Sequence, residues 1–302
     1  SLQFKNENRE IISGGGMSEY KGNHYGKIIW ANVGIPKDKI WYDHDAFKNE
    51  QYFFTKWMEK IGKFSLFGDM QVRNVGYKID GFRDNPSLKT NNKWLFVNPK
   101  VGVRYTANNI SAFASFAKAS KEPNRDDFEA GANEIPRPEK LYDLEAGIEK
   151  NIGKLTLSTT IYHMSYTDQL VLTGKVNDVG AYTRTNIPKS YRTGIEIETN
   201  FSLAKWLSIS NNIAVSRNKI QNFTDFTDDY TSGNQLQTSY KNSDIAFSPS
   251  IVDNAILTFT LSKKVEARWI SKYVSRQYLD NTSRINRSLD PLFVQDLNFN
   301  FS

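Results

Sequence analysis

Apolar residues recur at every second position along much of this chain, which confines those stretches to strands with one oily and one polar face. Between Tyr191 and Leu203, one face reads Thr193, Ile195, Ile197, Thr199 and Phe201, and the other reads Arg192, Gly194, Glu196, Glu198 and Asn200. From Leu95 to Tyr105, Leu95, Val97, Pro99, Val101, Val103 and Tyr105 oppose Phe96, Asn98, Lys100, Gly102 and Arg104. Residues 141–149 and 207–215 repeat the pattern. In 110–120 and 155–171 apolar residues occur on both faces, so the alternation leaves their orientation open.

The connections alternate in length. Short turns fall at Gly62-Lys63, Asn108-Asn109, Ile152-Gly153-Lys154, Ala204-Lys205 and Ser262-Lys263. Longer links rich in Asn, Asp, Gly and Pro lie near 17–49, 81–93, 121–138, 172–190, 224–244 and 279–290, as turn and loop formers would. About twelve strands follow, beginning with 2–12, 50–61 and 64–80 and ending with 291–302. Many exceed the usual five or so residues of a soluble strand, and roughly 9–11 tilted residues cross a bilayer. The expected fold class is all-β: an antiparallel up-and-down transmembrane β-barrel with short turns on one side and long loops on the other. Tyr105, Tyr191, Phe201, Trp206, Phe259 and Trp269 fall near strand ends, where aromatic girdles sit.

Composition fits that expectation. Apolar residues make up 39% of the chain and aromatics 13%, a polar chain too aromatic to be disordered. No run approaches the roughly 18–20 apolar residues of a membrane helix, which leaves a β-barrel untouched. There are no cysteines, which excludes disulfide scaffolds, Cys-zinc sites and thiol nucleophiles. The net charge of +6 is spread without a basic block, so no nucleic-acid partner is expected. The chain starts at Ser1 without a signal peptide and reads as an internal piece.

Several segments carry a resemblance. FVNPKVGVRYTANNISAFASFAKASKEPNRDDF (96–128), RPEKLYDLEAGIEKN (137–151), LTLSTTIYHMSYTDQLVLTGK (155–175) and SYRTGIEIETNFSLAKWLSISNNIAVSRNKIQNF (190–223) resemble the C-terminal barrel portion of TonB-dependent outer-membrane receptors of the Bacteroidetes type. GGGMSEYKGNHYGKIIW (14–30) and YVSRQYLDNTSR (273–284) are similar to that family too. The resemblance implies a plugged barrel of about 22 strands, of which this chain would supply an arc of about twelve. Residues 1–302 would then be part of the barrel domain, without the plug domain and terminal strands. It also implies import of a scarce ligand such as a ferric siderophore, haem, cobalamin or glycan. The partners implied are outer-membrane lipid, the TonB-ExbB-ExbD complex acting through the plug region, the small-molecule ligand and a surface lipoprotein. The localisation implied is the outer membrane of a Gram-negative bacterium, with no enzymatic step and no cofactor.

Candidate residues follow from the two kinds of surface. Tyr20, His24, Tyr25, Trp30, Trp41 and Tyr42 lie in the link 17–49, where exposed aromatics stack on flat or apolar ligands or on one another. Arg125 and Asp126, at a loop tip, join them as ligand-contact candidates. On the polar strand faces, Lys100, Arg104, Asp143, Glu145, Arg192, Glu196 and Glu198 are expected to line the lumen, forming charge ladders across neighbouring strands and contacting a plug. Glu196 and Glu198 also have the form of a glycosidase carboxylate pair, though lumen lining accounts for them without further assumption. Asp43-His44-Asp45 is a weak metal signal better read as solvated loop. Gly14-Gly15-Gly16 reads as a bending strand end. The competing class is a soluble all-β binding or adhesion module, which would need repeats of fixed period; none occurs.

Overall fold

The computed structural model describes residues 1–130, 135–176 and 182–301. Its main sheet holds fourteen antiparallel strands. They are β1 (Leu2–Lys5), β2 (Arg9–Ile28), β3 (Lys39–Ile61), β4 (Phe64–Asp80), β5 (Lys89–Ala107), β6 (Ile110–Lys121), β7 (Glu139–Ile152), β8 (Leu155–Val176), β9 (Tyr182–Ala204), β10 (Leu207–Asp229), β11 (Asn234–Asp244), β12 (Ile251–Thr260), β13 (Val265–Val274) and, after a two-stranded pair of β14 (Gln277–Tyr278) with β15 (Ser288–Leu289), β16 (Leu292–Phe301). Each strand pairs with its sequence neighbours, from β1 at one edge to β16 at the other. The single branch is at β10, which pairs with β12 over 207–215 and with β11 over 219–229.

The tight turns gather at one end. Gly62, Asn108 and Gly153 adopt φ of 62°, 49° and 60°, left-handed values that glycine and asparagine reach at least cost. The longer connections leave from the opposite end, as the alternation of link lengths requires.

The strand count differs from the expected twelve because strands run further. The first is a hairpin, β1 and β2, and most of the supposed loop 17–49 is strand, with a connection only at 29–38. Links 172–190 and 224–244 are likewise largely β8, β9, β10 and β11, apart from 177–181, which lie outside the described residues. Beyond the bilayer both strand faces meet water, so polar residues sit on both and the oily period vanishes. The glycine triplet is no strand end either: β2 continues through it. A Cβ at Gly16 would meet the Tyr52 ring within 3.0 Å, and one at Gly14 the Phe54 ring, so these glycines make room for the stacked Tyr52 and Phe54 across the strand.

Register then sorts the side chains. The pairs Phe64–Tyr105, Leu66–Val103 and Val72–Val97 place the odd residues of β5 with the even residues of β4. Carried strand to strand, the same oily face takes Phe116, Leu144, Ile161, Ile195, Val215 and Leu257. This settles β6, with even residues on the oily face, and β8, with odd ones. The oily face is uncovered among the described residues: Leu95 is 68% exposed, Leu144 56% and Ile161 55%. Tyr105, Tyr191, Phe201, Phe259 and Trp269 all lie on it, and Trp206 stacks on Phe259 beside its turn. A soluble sandwich would have buried this surface under a second sheet.

The polar face is concave. Residues from strands that do not touch each other meet there, as when Glu122, just past β6, binds Lys48 on β3 and Arg73 on β4. A wall with a convex apolar face and a concave polar one is what a membrane barrel requires.

Ile197, mid-β9 on the oily face, and Asn212, its neighbour on the polar face of β10, test this sorting. Ile197→Lys is expected to destabilise the barrel by about 2–4 kcal/mol in lipid vesicles, whereas Asn212→Lys costs within about 0.5 kcal/mol. Urea titration of vesicle-folded protein measures both, and equal costs would refute the face assignment.

Candidate functional site

Two connections from the loop end fold inward onto the concave face. The first follows β6. Glu122 is buried and accepts from Lys48 Nζ at 2.7 Å and Arg73 Nη2 at 3.3 Å, and Arg73 Nε donates to Glu50 at 2.7 Å. Burial pushes the Glu122 carboxyl up, but the Lys48 hydrogen bond, its backbone contact and the charges of Lys48 and Arg73 outweigh burial and leave it below its ordinary value. A 3-10 turn, Arg125–Ala130, then lowers Phe128 between Tyr77, edge-on at 5.9 Å, and Trp94 at 6.4 Å. Tyr77, Ile79, Phe82, Leu88 and Phe128 form a buried cluster under that turn.

The second connection, between β13 and β16, lies over β10 and β11. Asn281 Nδ2 donates to the Leu172 carbonyl at 3.2 Å, Ser283 Oγ donates to Asp244 at 2.8 Å, and Arg284 donates to Tyr240. Val171, Ile187, Ile220, Phe223 and Ile245 pack beneath. Arg287 bridges Asp280 at 2.8 Å and Asp225 at 3.9 Å. Arg184 on β9 reaches Asp127 of the first connection at 3.8 Å, tying that connection to β9. The second connection and the loop-side ends of β8, β9 and β10 frame a cavity of about 700 Å³ that opens at the loop end, lined by Arg184, Arg287, Tyr182, Phe226, Tyr230 and Phe247 among others. Tyr182 donates to Asp228 at 2.7 Å, which raises the phenol's pKa and lowers that of the carboxyl.

The loop-end candidates divide by strand parity. Tyr20, His24 and Tyr42 face inward on β2 and β3, and His24 is the direct cross-strand partner of His44, on which Tyr42 stacks at 6.1 Å. Arg125 lies over the Phe82 ring at 4.5 Å and donates to the Gly81 carbonyl at 3.0 Å. Burial, and then the nearby Arg125 charge, lower the pKa of His24 and keep it neutral at neutral pH. Asp126 is exposed on the same 3-10 turn. The structure thus brings Tyr20, His24, Tyr42 and Arg125 to one inner wall. It does not bring Tyr25, Trp30 or Trp41: Tyr25 and Trp41 point outward from β2 and β3, and Trp30 stands 76% exposed in the 29–38 connection. Asp43 and Asp45 also point outward, where both accept from Asn23, so alternation separates them from His44. Among the described residues no group of three His, Asp or Glu is placed to hold a metal ion.

The seven wall candidates, Lys100, Arg104, Asp143, Glu145, Arg192, Glu196 and Glu198, share the concave face. They do not form the expected ladders. Lys100 and Asp143 are separated by Ala117 on β6, and Asp143 and Arg192 by Met164 on β8. With strands about 4.8 Å apart, such pairs stand two spacings from each other. Arg104 instead donates to Ser111 at 3.0 Å and Arg192 to Ser248 at 3.0 Å. A strand-to-strand ion pair that does form on this face, Arg73–Glu50, joins adjacent strands. Glu122, Asp127 and Arg184 were not legible as site residues, because the contacts that define them join one connection to strands remote in sequence.

A family model described as "TonB dependent receptor-like, beta-barrel" matches residues 20–301. The chain belongs to this receptor-barrel family. Its fold is similar to that of several solved structures. The copper transporter OprC superposes with a TM-score of 0.78 at 13% identity, covering 99% of this chain and 47% of OprC. The ferric citrate transporter FecA, unliganded, gives 0.73 at 14%, covering 98% and 45%. The siderophore receptor PiuA from Acinetobacter baumannii gives 0.72 at 15%, covering 99% and 48%. The chain therefore spans about half the length of each. No curated protein matches the sequence significantly.

In this receptor barrel, Glu122 holds the first connection down. Its carboxyl titrates below the ordinary 4.5, so its contribution is present above that pH and is lost as pH falls through the lowered native value. Glu122→Gln is expected to cost about 1–2 kcal/mol locally and to speed protease cleavage within 122–138 some five- to thirty-fold at neutral pH. Acidification should narrow that difference by accelerating only the wild type, and parallel pH profiles would refute the role.

Proposed function

We propose that this barrel is the wall of an outer-membrane receptor of a Gram-negative bacterium that binds a scarce small molecule at its loop end and imports it with TonB-derived energy. The observation that carries this reading is the cavity of about 700 Å³ framed on the concave face by the inward-folded second connection and the loop-side ends of β8 to β10. Its lining joins aromatic rings with the cations Arg184 and Arg287 and the anions Asp225, Asp228 and Asp280. Such a surface offers stacking together with charged hydrogen bonds, the requirements of a polar chelate. Ferric siderophores are the first substrate class to test, with haem, cobalamin, glycans and copper behind them. The family, one of receptors, supports binding and passage over bond-making chemistry.

In this mechanism the ligand first meets Tyr230 and Phe247, both well exposed at the cavity. Arg184 ties the first connection to the wall through Asp127, so a ligand that recruits Arg184 weakens that tie and loosens the cover over the lumen. The charged inner wall, from Lys100 to Glu198, would hold a plug through polar contacts that exchange with water as the plug shifts. The inner-membrane TonB-ExbB-ExbD complex would act on that plug, and a surface lipoprotein would lie over the loop end.

The test is uptake of ⁵⁵Fe-enterobactin and ⁶⁴Cu by cells whose only importer is the intact receptor. Paired substitution Tyr230→Ala and Phe247→Ala is expected to weaken apparent affinity about tenfold or more at unchanged receptor level. Dissipating the proton-motive force should stop accumulation while leaving surface binding intact. Accumulation that survives dissipation would overturn energised import, and unchanged affinity would move the binding site elsewhere.

A further inference from the structure

The convex face carries a charge pattern that ligand import does not use. Through 89–107, 110–121, 139–152, 155–167, 189–204 and 207–219, the outward positions of β5 to β10 contain no carboxylate. Every acid of these spans, Asp143, Glu145 and Glu196 among them, points to the concave side. The outward cations at the loop end stand where the apolar run of each strand stops. Lys93 follows Leu95 on β5, Lys118 follows Phe116 on β6, Lys140 follows Tyr142 on β7, Lys189 follows Tyr191 on β9 and Arg217 follows Val215 on β10. None of these five makes a salt bridge among the described residues; the next outward cation on β10, Lys219, is held by Asp244 at 2.6 Å. On the adjoining β12, the outward Asp253 accepts from Asn211 at 2.7 Å.

A groove runs down the wall from this row. It has a volume of about 640 Å³ and opens on the oily face, lined by Leu144, Ala146, Ile161, Ile195, Val215 and Ile251. His163, stacked on Tyr191 at 6.1 Å, and Arg217 form its loop-side rim. The groove exists for a backbone reason. At 216–218 β10 leaves β12 and turns to β11, and the Ser216 N–H to Ser250 carbonyl bond, 2.8 Å, and the Ile245 N–H to Asn218 carbonyl bond, 3.0 Å, stand on the two sides of the fork. Ala146 opposite adds a side chain too small to fill the space.

We propose that this groove and its cationic rim bind a phosphorylated lipid of the leaflet that meets the long loops. An acyl chain lies along Leu144, Ile161, Ile195 and Val215, and the phosphate sits against Arg217, the cation that lines the groove, with Lys189 and Lys140 adding positive potential further along the rim. Charge complementarity selects this occupant: a neutral lipid fills the groove but leaves a row of unpaired cations at the interface, and no carboxylate on the outward positions of the β5 to β10 spans competes for them. The inference rests on the membrane placement of the oily face and is independent of what the receptor imports.

Native mass spectrometry of the intact receptor in dodecyl maltoside tests it, with dioleoyl phosphatidic acid, dioleoyl phosphatidylcholine and dioleoyl glycerol as probes. Phosphatidic acid is expected to be retained about tenfold more strongly than either control. The triple variant Lys140→Gln, Lys189→Gln, Arg217→Gln should lose most of that preference, about fivefold or more. Ala146→Phe, which fills the groove, should weaken retention of all three lipids. Equal retention of the three lipids, or retention unaffected by the triple variant, overturns the proposal. So does displacement by millimolar inorganic phosphate alone, which would mark an anion site without an acyl groove. A receptor dimer that lipid does not displace would show a second copy in the groove and also overturns it. Unchanged heat-modifiable migration on gels confirms that each variant is folded. Absence of lipid preference in the wild-type receptor with its ⁵⁵Fe uptake intact refutes this inference alone, and lipid preference without uptake refutes only the import reading.

Discussion

A wall that faces hydrocarbon finds no water for its backbone, so every N–H and C=O on it must pair within the sheet. The rest of this structure follows from that requirement. Pairing fixes register, and because side chains alternate with period two, register fixes which residues meet lipid and which meet the lumen. A one-residue slip between β9 and β10 would put Glu196 and Glu198 on the oily face and Ile195 and Ile197 inside. The tight turns at 62–63, 108–109 and 153–154 leave little slack for such a slip, and their left-handed Gly62, Asn108 and Gly153 make them possible.

The same sheet is a poor container for a site until something is folded into it. Strand faces supply repeated, regular surfaces, whereas a ligand needs convergence. Here convergence comes from chain that leaves the wall and returns. Glu122 is the hinge of the first return, bridging β3, β4 and the end of β6 through one buried carboxylate. Asp280, Asn281, Ser283 and Arg287 anchor the second. Arg184 on β9 holds Asp127 of the first return, and the cavity beside the second is lined by loop and strand residues together, so loops shape it while strands position it.

This division explains what could be read from the sequence. Where one face meets lipid, alternation is strict, and the spans around 94–107, 141–149, 191–203 and 207–215 give up both strand and facing. Where strands rise into water on both sides, the period carries no oily signal. Glu19, Lys21 and Asn23 on β2, or Asp43 and Asp45 on β3, look like loop residues yet sit in paired strand. That is why 17–49 reads as a loop and why its aromatics read as one cluster, although parity sends Tyr20, His24 and Tyr42 inward and Tyr25 and Trp41 outward. The charge ladders failed for a related reason. Sequence shows that two strands share a face but not how many strands separate them, and one intervening Ala117 or Met164 suffices to part a cation from its acid.

Charge also sorts by solvent rather than by sign alone. On the concave side, acids and bases mix, because a wet lumen hydrates both and tolerates pairs at small net gain. On the convex side of the lipid-facing spans of β5 to β10, carboxylates are absent, and at the loop end cations appear beyond the last apolar residue. A long Lys or Arg can lay its methylenes against the apolar band and carry its charge to the interface, whereas the short stem of Asp or Glu cannot. Length alone therefore excludes acids from the band itself but not from the rim, where either sign would be hydrated. That the loop-side rim of these strands is cationic on β5, β6, β7, β9 and β10 needs a second cause. An interface that carries negative charge supplies one: it attracts cations, repels carboxylates, and acts equally on strands that share no contact.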